Sequence, residues 1–289
     1  MILVAGDVVD DIGVLPLEPV APRSDTRAQV RMTPGGSAAN TAAWLGFLGA
    51  PARFFGKVGV DGLERHGAAL REHQVDPRLV TDPLLPTATI VLTLDDDADR
   101  TMYVDRAANG TLTLDDVTDD LWPDVDWLHL TGYTFYDPDT RDVAIELIAE
   151  AKRRGAGVSV DPSTTAFLRE VGPDAFIEWT SGADLVLPNL DEARLLVGAS
   201  GPFVDFVALT RMYPHVVVTL GSMGAAYVAG TVREQVAAPR IQVIDTTGAG
   251  DAFTAGFLAS WIERKDPRTA LTAGIGAAGR CVQQRGARP

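Results

Sequence analysis

In the stretch DTTGAGDAFTAGF, Asp245 to Phe257, a carboxylate stands at the mouth of an apolar run. Gly248, Ala249 and Gly250 precede Asp251, and almost everything after it is apolar. A helix that starts here leaves its first amides without intrahelical partners. Those amides lie at the positive end of the helix dipole and make a natural anion site. Glycine lets an anion come close to the backbone. A carboxylate beside a bound anion is electrostatically unfavourable. One reason to keep it there is to take a proton from a hydroxyl that attacks the anion. A plain helix start, with Asp251 favouring the dipole, fits the same four residues.

Three further groups of residues have chemical content. In PGGSAANTAAWLGFLGAPARFFGKVG, residues 34–59, Gly35 and Gly36 precede a helix and Asn40 lies in its first turns. The run is not a Walker loop, which needs Gly-Lys-Ser/Thr at its end. No GxGxxG follows the first strand, so the dinucleotide fingerprint is missing. In LVLPNLDEARLL, Asn189 and Glu192 are three apart and share one face of a starting helix. Their oxygens suit a hydrated magnesium ion, and they equally suit a helix-capping box. In VVVTLGSMGAAYVAG a buried strand ends at Thr219, followed by Gly221 and Gly224. Strand ends of this kind bind ligands in parallel sheets, and the glycines also fit a tight turn. His66, His73, His129 and His215 show no metal spacing, Cys281 is the one cysteine, and Ser37 and Ser222 lack triad partners.

These residues need elements to hold them. The runs ILVAGDVV, ARFFGKV, VDWLHLTG, GAGVSVD, ADLVLPN and HVVVTLG read as short buried strands. Helical patterns at Ser37–Gly49, Asp139–Arg154, Phe203–Met212 and Asp266–Gln284 lie between or after them. Strand-helix alternation predicts an α/β fold, a mostly parallel central sheet with helices on both faces. Segments 12–33 and 86–105 carry strand-like runs without helices and are expected to form a small β layer. The second reads as a hairpin whose acidic turn, DDDAD, is solvated.

The 289 residues carry a net charge of −14. Such a field repels nucleic acid and anionic membranes, so neither is expected as a partner. It leaves room for an anionic substrate at a locally positive site. One cysteine fits a reducing compartment. No run approaches the ~18 apolar residues of a membrane span, and the N-terminus lacks a basic start. A cytoplasmic protein is expected.

Taken in order, the motifs resemble those of the ribokinase-like carbohydrate kinases, the PfkB family. GGSAANTA with Gly49 and Gly59 is similar to the family's N-terminal signature, and DTTGAGDAFTAGFL to its C-terminal one. NLDE resembles its Asn-x-x-Glu element and TLGSMG its nucleotide loop. The resemblance spans almost the whole chain. It implies a three-layer α/β/α fold with a β lid made by segments 12–33 and 86–105, in one kinase domain over 1–289. It implies transfer of the γ-phosphoryl group of ATP to a sugar-like hydroxyl. By position, Asp251 is then the base, and the amides of Gly248, Ala249 and Gly250 the anion hole. Asp11, Gly35, Gly36 and Asn40 hold the acceptor, and Thr219, Gly221 and Gly224 the nucleotide. Asn189 and Glu192 organise Mg2+ through water. Asp245 and Thr247 match half of a monovalent-cation (K+) site whose other half falls near and beyond Gly286.

Val9 stands where ribokinase itself has a polar residue, so ribose does not follow as the acceptor, and Glu64 stands where a glycine is often found. A nucleoside kinase of the same fold is the alternative, and a non-catalytic sugar or nucleotide sensor a third reading. Retention of Asp251 and of Asn189/Glu192 argues against a sensor. The lid segments cannot bury both faces of a sheet alone, so a homodimer through the lid is expected.

Overall fold

A computed structural model describes residues 1–94, 100–135, 137–199 and 205–289. The chain opens with β1 (Ile2–Ala5), then β2 (Val9–Pro16) and β3 (Ala28–Gly35). Helix α1 (Ser37–Phe47), β4 (Ala52–Gly59), α2 (Leu63–Glu72) and β5 (Val75–Asp82) follow. The hairpin β6 (Thr89–Leu94) and β7 (Arg100–Asp105) precedes β8 (Trp127–Thr131), α3 (Pro138–Arg153) and β9 (Gly157–Asp161). Then come α4 (Thr165–Val171), α5 (Pro173–Trp179), β10 (Leu185–Val186) and α6 (Leu190–Leu196). The chain closes with β11 (His215–Thr219), β12 (Ala225–Ala229), β13 (Val232–Val236), α7 (Ala249–Arg264) and α8 (Pro267–Cys281).

Nine strands form the central sheet in the order β13-β12-β11-β10-β9-β8-β1-β4-β5. From β11 to β5 every pair is parallel, while β12 and β13 add an antiparallel edge. The central strands are apolar throughout because both faces are covered. Successive residues of β1 enter opposite cores: Ile2 and Val4 join Trp44, Phe257 and Leu271 of α1, α7 and α8, while Leu3 and Ala5 join Leu147 of α3 and Phe167 of α4. Helix α7 is apolar all round because it lies between α1 and α8 as well as against the sheet. Gly256 and Gly274 allow that approach: a Cβ on Gly256 would come within 2.7 Å of the Ala273 carbonyl oxygen.

The lid is a separate four-stranded sheet, β3-β2-β6-β7. Its register puts Thr33, Asp11, Ile90 and Val104 in one row across all four strands. The next row, Met32, Ile12, Val91 and Tyr103, therefore points to the opposite face.

Several expectations change. ILVAGDVV is not one strand: it breaks at Gly6–Val8, and its last residue begins the lid. The lid strands run from Val9 and up to Gly35, beyond the 12–33 boundaries, so Asp11 is itself a lid residue. ADLVLPN shortens to Leu185–Val186. The acidic turn at 95–99 lies outside the described residues, as do 203 and 204 at the start of the expected Phe203–Met212 helix. The remainder of that segment makes only a 3-10 turn at Ala208–Arg211. Helix α2, with its exposed charged face, was not anticipated.

Candidate active site

The site is built where β1 ends. Gly6 turns the chain and Asp7 follows. The Asp7 carboxylate accepts the backbone N–H of Ser37 at 2.7 Å and of Ala38 at 3.1 Å, and the Thr131 hydroxyl at 3.0 Å. It thus caps α1 from another element, with a negative charge at the positive end of the helix dipole. Gly36, before the helix, has φ 96°, and a Cβ there would come within 2.5 Å of the Asp7 carbonyl oxygen. Glycine is the residue that fits.

The first turn of α7 meets the first turn of α1. Asp251 Oδ1 accepts the Ser37 hydroxyl at 2.7 Å, and Oδ2 accepts the Asn40 side-chain amide at 3.0 Å. Burial pushes the Asp251 carboxyl up to about 8; the Ser37 and Asn40 bonds oppose this, and the carboxylates of Asp161 and Asp7 add to it. Gly248 caps α7 in the left-handed region, φ 76°, against Ala287. The amides of Gly248 and Gly250 make no hydrogen bond among the described residues. Ala249 N, the third amide expected in the anion hole, donates to Thr246 O at 3.3 Å.

Asp251 stands in the wall of a cleft of about 840 Å³ between the lid and the strand ends of the main sheet. Asp11, Gly36 and Asn40 line it with Asp251, and so do Asn189, Glu192 and Thr219. The Asp11 carboxyl, against the Cα of Gly35, is pushed up to about 6 by burial and by Asp7, with Arg288 opposing. Asn189 and Glu192 do form the capping box of α6: Asn189 Oδ1 accepts from Glu192 N at 2.9 Å, and Glu192 Oε2 accepts from Asn189 N at 2.9 Å. Both still line the cleft, so capping and an oxygen donor set coexist. Burial pushes Glu192 up to about 7, with Asp191 adding to it and the bonds from Asn189 opposing. Gly221 and Gly224 are not part of the cleft wall. They shape the β11–β12 turn, and a Cβ on Gly224 would come within 2.0 Å of Val236 O. Asp245 accepts Thr247 N at 3.0 Å and Thr247 Oγ1 at 2.7 Å, and its other oxygen accepts Gly286 N at 3.2 Å. That bond brings the 285–288 segment to the site.

Four residues were missed. Asp7 was hidden by reading residues 2–9 as one strand; the Gly6-Asp7 pair inside an apolar run was the available signal. Ser37 follows two glycines, a helix-start position. Asp161 ends β9, and an acid at the end of an apolar parallel strand is where such sheets place ligand groups. Its carboxyl rises to about 8 through burial and the nearby Glu192. Arg288 carries no local signal.

A three-layer α/β/α fold with a β lid, and a carboxylate set between two helix N-termini in the cleft, suit phosphoryl transfer to a hydroxyl. All of residues 1–289 match the model of the pfkB family carbohydrate kinases, and the chain belongs to that family. It is similar to fructokinase-1 of Zea mays, 32% identical over 244 residues, 81% of this chain and 75% of that one. Adenosine kinase from Sinorhizobium meliloti superposes with a TM-score of 0.86 at 29% identity, over 100% of this chain and 95% of that one. Fructokinase from Vibrio cholerae O395, in a structure with fructose, ADP and calcium ion, gives 0.85 at 28% over 99% and 94%. A double mutant of that fructokinase holds fructose, ADP and potassium ion.

Proposed function

We propose that this sugar kinase phosphorylates a hexose, fructose first among the candidates, with Asp251 as the general base. The observation that carries the reading is the Asp251 carboxylate, held by Ser37 and Asn40 and next to the amides of Gly248 and Gly250, which have no partner among the described residues. Asp11, with Gly35, Gly36 and Asn40, holds the acceptor. The acceptor O–H bond breaks and its proton passes to Asp251. The freed oxygen bonds to the γ-phosphorus as the bond to the bridging oxygen breaks and ADP leaves. Gly248 and Gly250 stabilise the charge on the transferring group. Thr219, with the Gly221–Gly224 turn behind it, borders the nucleotide.

Asn189 and Glu192 offer the oxygen-only donor set that a hydrated magnesium ion takes, and Asp161 lies beside them. When bound, magnesium neutralises phosphate charge. Asp245 and Thr247, tied to Gly286, are the proposed part of a monovalent-cation site, and the potassium-bound relative supports this. The likeness to an adenosine kinase supports a second reading, a nucleoside acceptor.

The test is ADP release from ATP with fructose, other hexoses, sugar acids and adenosine, in potassium and in sodium buffer. Fructose turnover that exceeds adenosine turnover is the expected result. Asp11→Ala should raise the KM for the sugar and leave that for ATP nearly unchanged. Preference for adenosine would replace the hexose reading. Asp251→Asn with normal turnover would remove the base.

A further inference from the structure

Arg288 enters the cleft from the C-terminal segment. Its Nε donates to Asn40 Oδ1 at 3.0 Å and its Nη2 to the Gly35 carbonyl at 2.9 Å. Nη1 is enclosed, without a partner among the described residues. Asn40 in turn donates its amide N–H to Asp251 Oδ2 at 3.0 Å. One guanidinium therefore holds the Gly35 carbonyl and the amide that bonds Asp251. We propose that Arg288 is a positioning residue for phosphoryl transfer, acting on Asp251 through Asn40. The inference rests on Asp251 being the base.

The chemistry of an amide gives the reason. An Asn side chain has a donor end and an acceptor end. With Arg288 on Oδ1, the Nδ2 end must face Asp251, and a donor stabilises the ionised carboxylate. If Asn40 turned over, its oxygen would face Asp251 and favour the protonated acid, which cannot take a proton. Charge acts in the same direction. Asp7 and Asp161 face Asp251, the Cys281 thiol lies nearby, and Asp11 is in the same cleft. Arg31, Arg106 and Arg285 also line the cleft, but Arg288 is the arginine tied to Asn40, and burial lowers it to about 10 while Asp11, Asp251 and Asp7 hold it up.

The decisive measurement is the pH dependence of kcat for wild type, Arg288→Met and Arg288→Lys. Arg288→Met should lose about ten- to a hundredfold in kcat at pH 7, shrinking to a few-fold near pH 9.5, where the base ionises without help. Arg288→Lys keeps the charge without the fork and should fall in between. Carbon-13 NMR of the aspartate carboxyls reads the same effect without turnover. The Asp251 signal, identified by its absence in Asp251→Asn, should titrate about one unit or more higher in Arg288→Met. A loss that is the same at every pH marks a merely structural role and overturns the proposal, as does an Asp251 midpoint unmoved in both variants. Normal turnover of Asp251→Asn instead overturns the base assignment, so the two failures are told apart.

Discussion

The carboxyl of Asp251 rises from an ordinary 3.8 to about 8 because it is buried. Between those values the folded protein keeps a proton that the unfolded chain has released. Stability from this group therefore falls as pH rises through the window. Asp251→Asn cannot titrate, so thermal melts should show it gaining on wild type as pH rises from 5 to 8. A variant that loses ground instead would sink the burial account. Its turnover should drop by ~10²–10⁴ in the same experiment. In wild type, kcat/KM should climb with pH as Asp11, near 6, and then Asp251 lose their protons. A profile flat from pH 5.5 to 9 would contradict both assignments.

Helices α1 and α7 do at the scale of elements what Ser37, Asn40 and Asp251 do at the scale of residues. Each presents an N-terminal turn to the cleft, and each is fixed from behind, α1 by Asp7 and α7 by close packing on α8. The contact of Gly256 with Ala273 and Ala277 sets that spacing. Gly256→Val should cost about 1–3 kcal/mol through overpacking. Because the same helix carries Asp251, kcat should fall too. Denaturant unfolding of the variant, set beside its kcat, checks both. Full stability would show that the helices have room to spare.

For the whole molecule, the lid has two faces of different character. One turns Asp11 and Thr33 to the cleft. The other exposes Val30, Met32 and Tyr103, each more than half accessible. A second copy of the chain paired through this face is the expected cover. Light scattering at micromolar concentration should give twice the chain mass, and Met32→Glu with Tyr103→Glu should return the monomer. A wild-type monomer would rule the pairing out. Among the described residues, no helix is long and apolar enough to cross a membrane.

The apolar strand runs, the Gly-rich helix starts and the acid at Asp251 could be read directly from the sequence, because each is a local pattern with a local cause. Buried parallel strands must be apolar, and a helix mouth that meets an anion needs small residues and open amides. That was enough for the fold class, the two main signatures and the place of Asp251 at a helix start in the cleft wall. Tertiary structure decided what depends on partners far along the chain. Asp10 and Asp11 are adjacent acids, yet strand alternation turns Asp11 to the cleft and Asp10 to Arg65 and His66 of α2. Asp7 became a cap only because α1 packs against the end of β1. Asn189 and Glu192 proved to be a capping box and cleft lining together, a choice their spacing left open. Arg288 lies 248 residues from Asn40, and only closure of the fold brings its guanidinium to that amide.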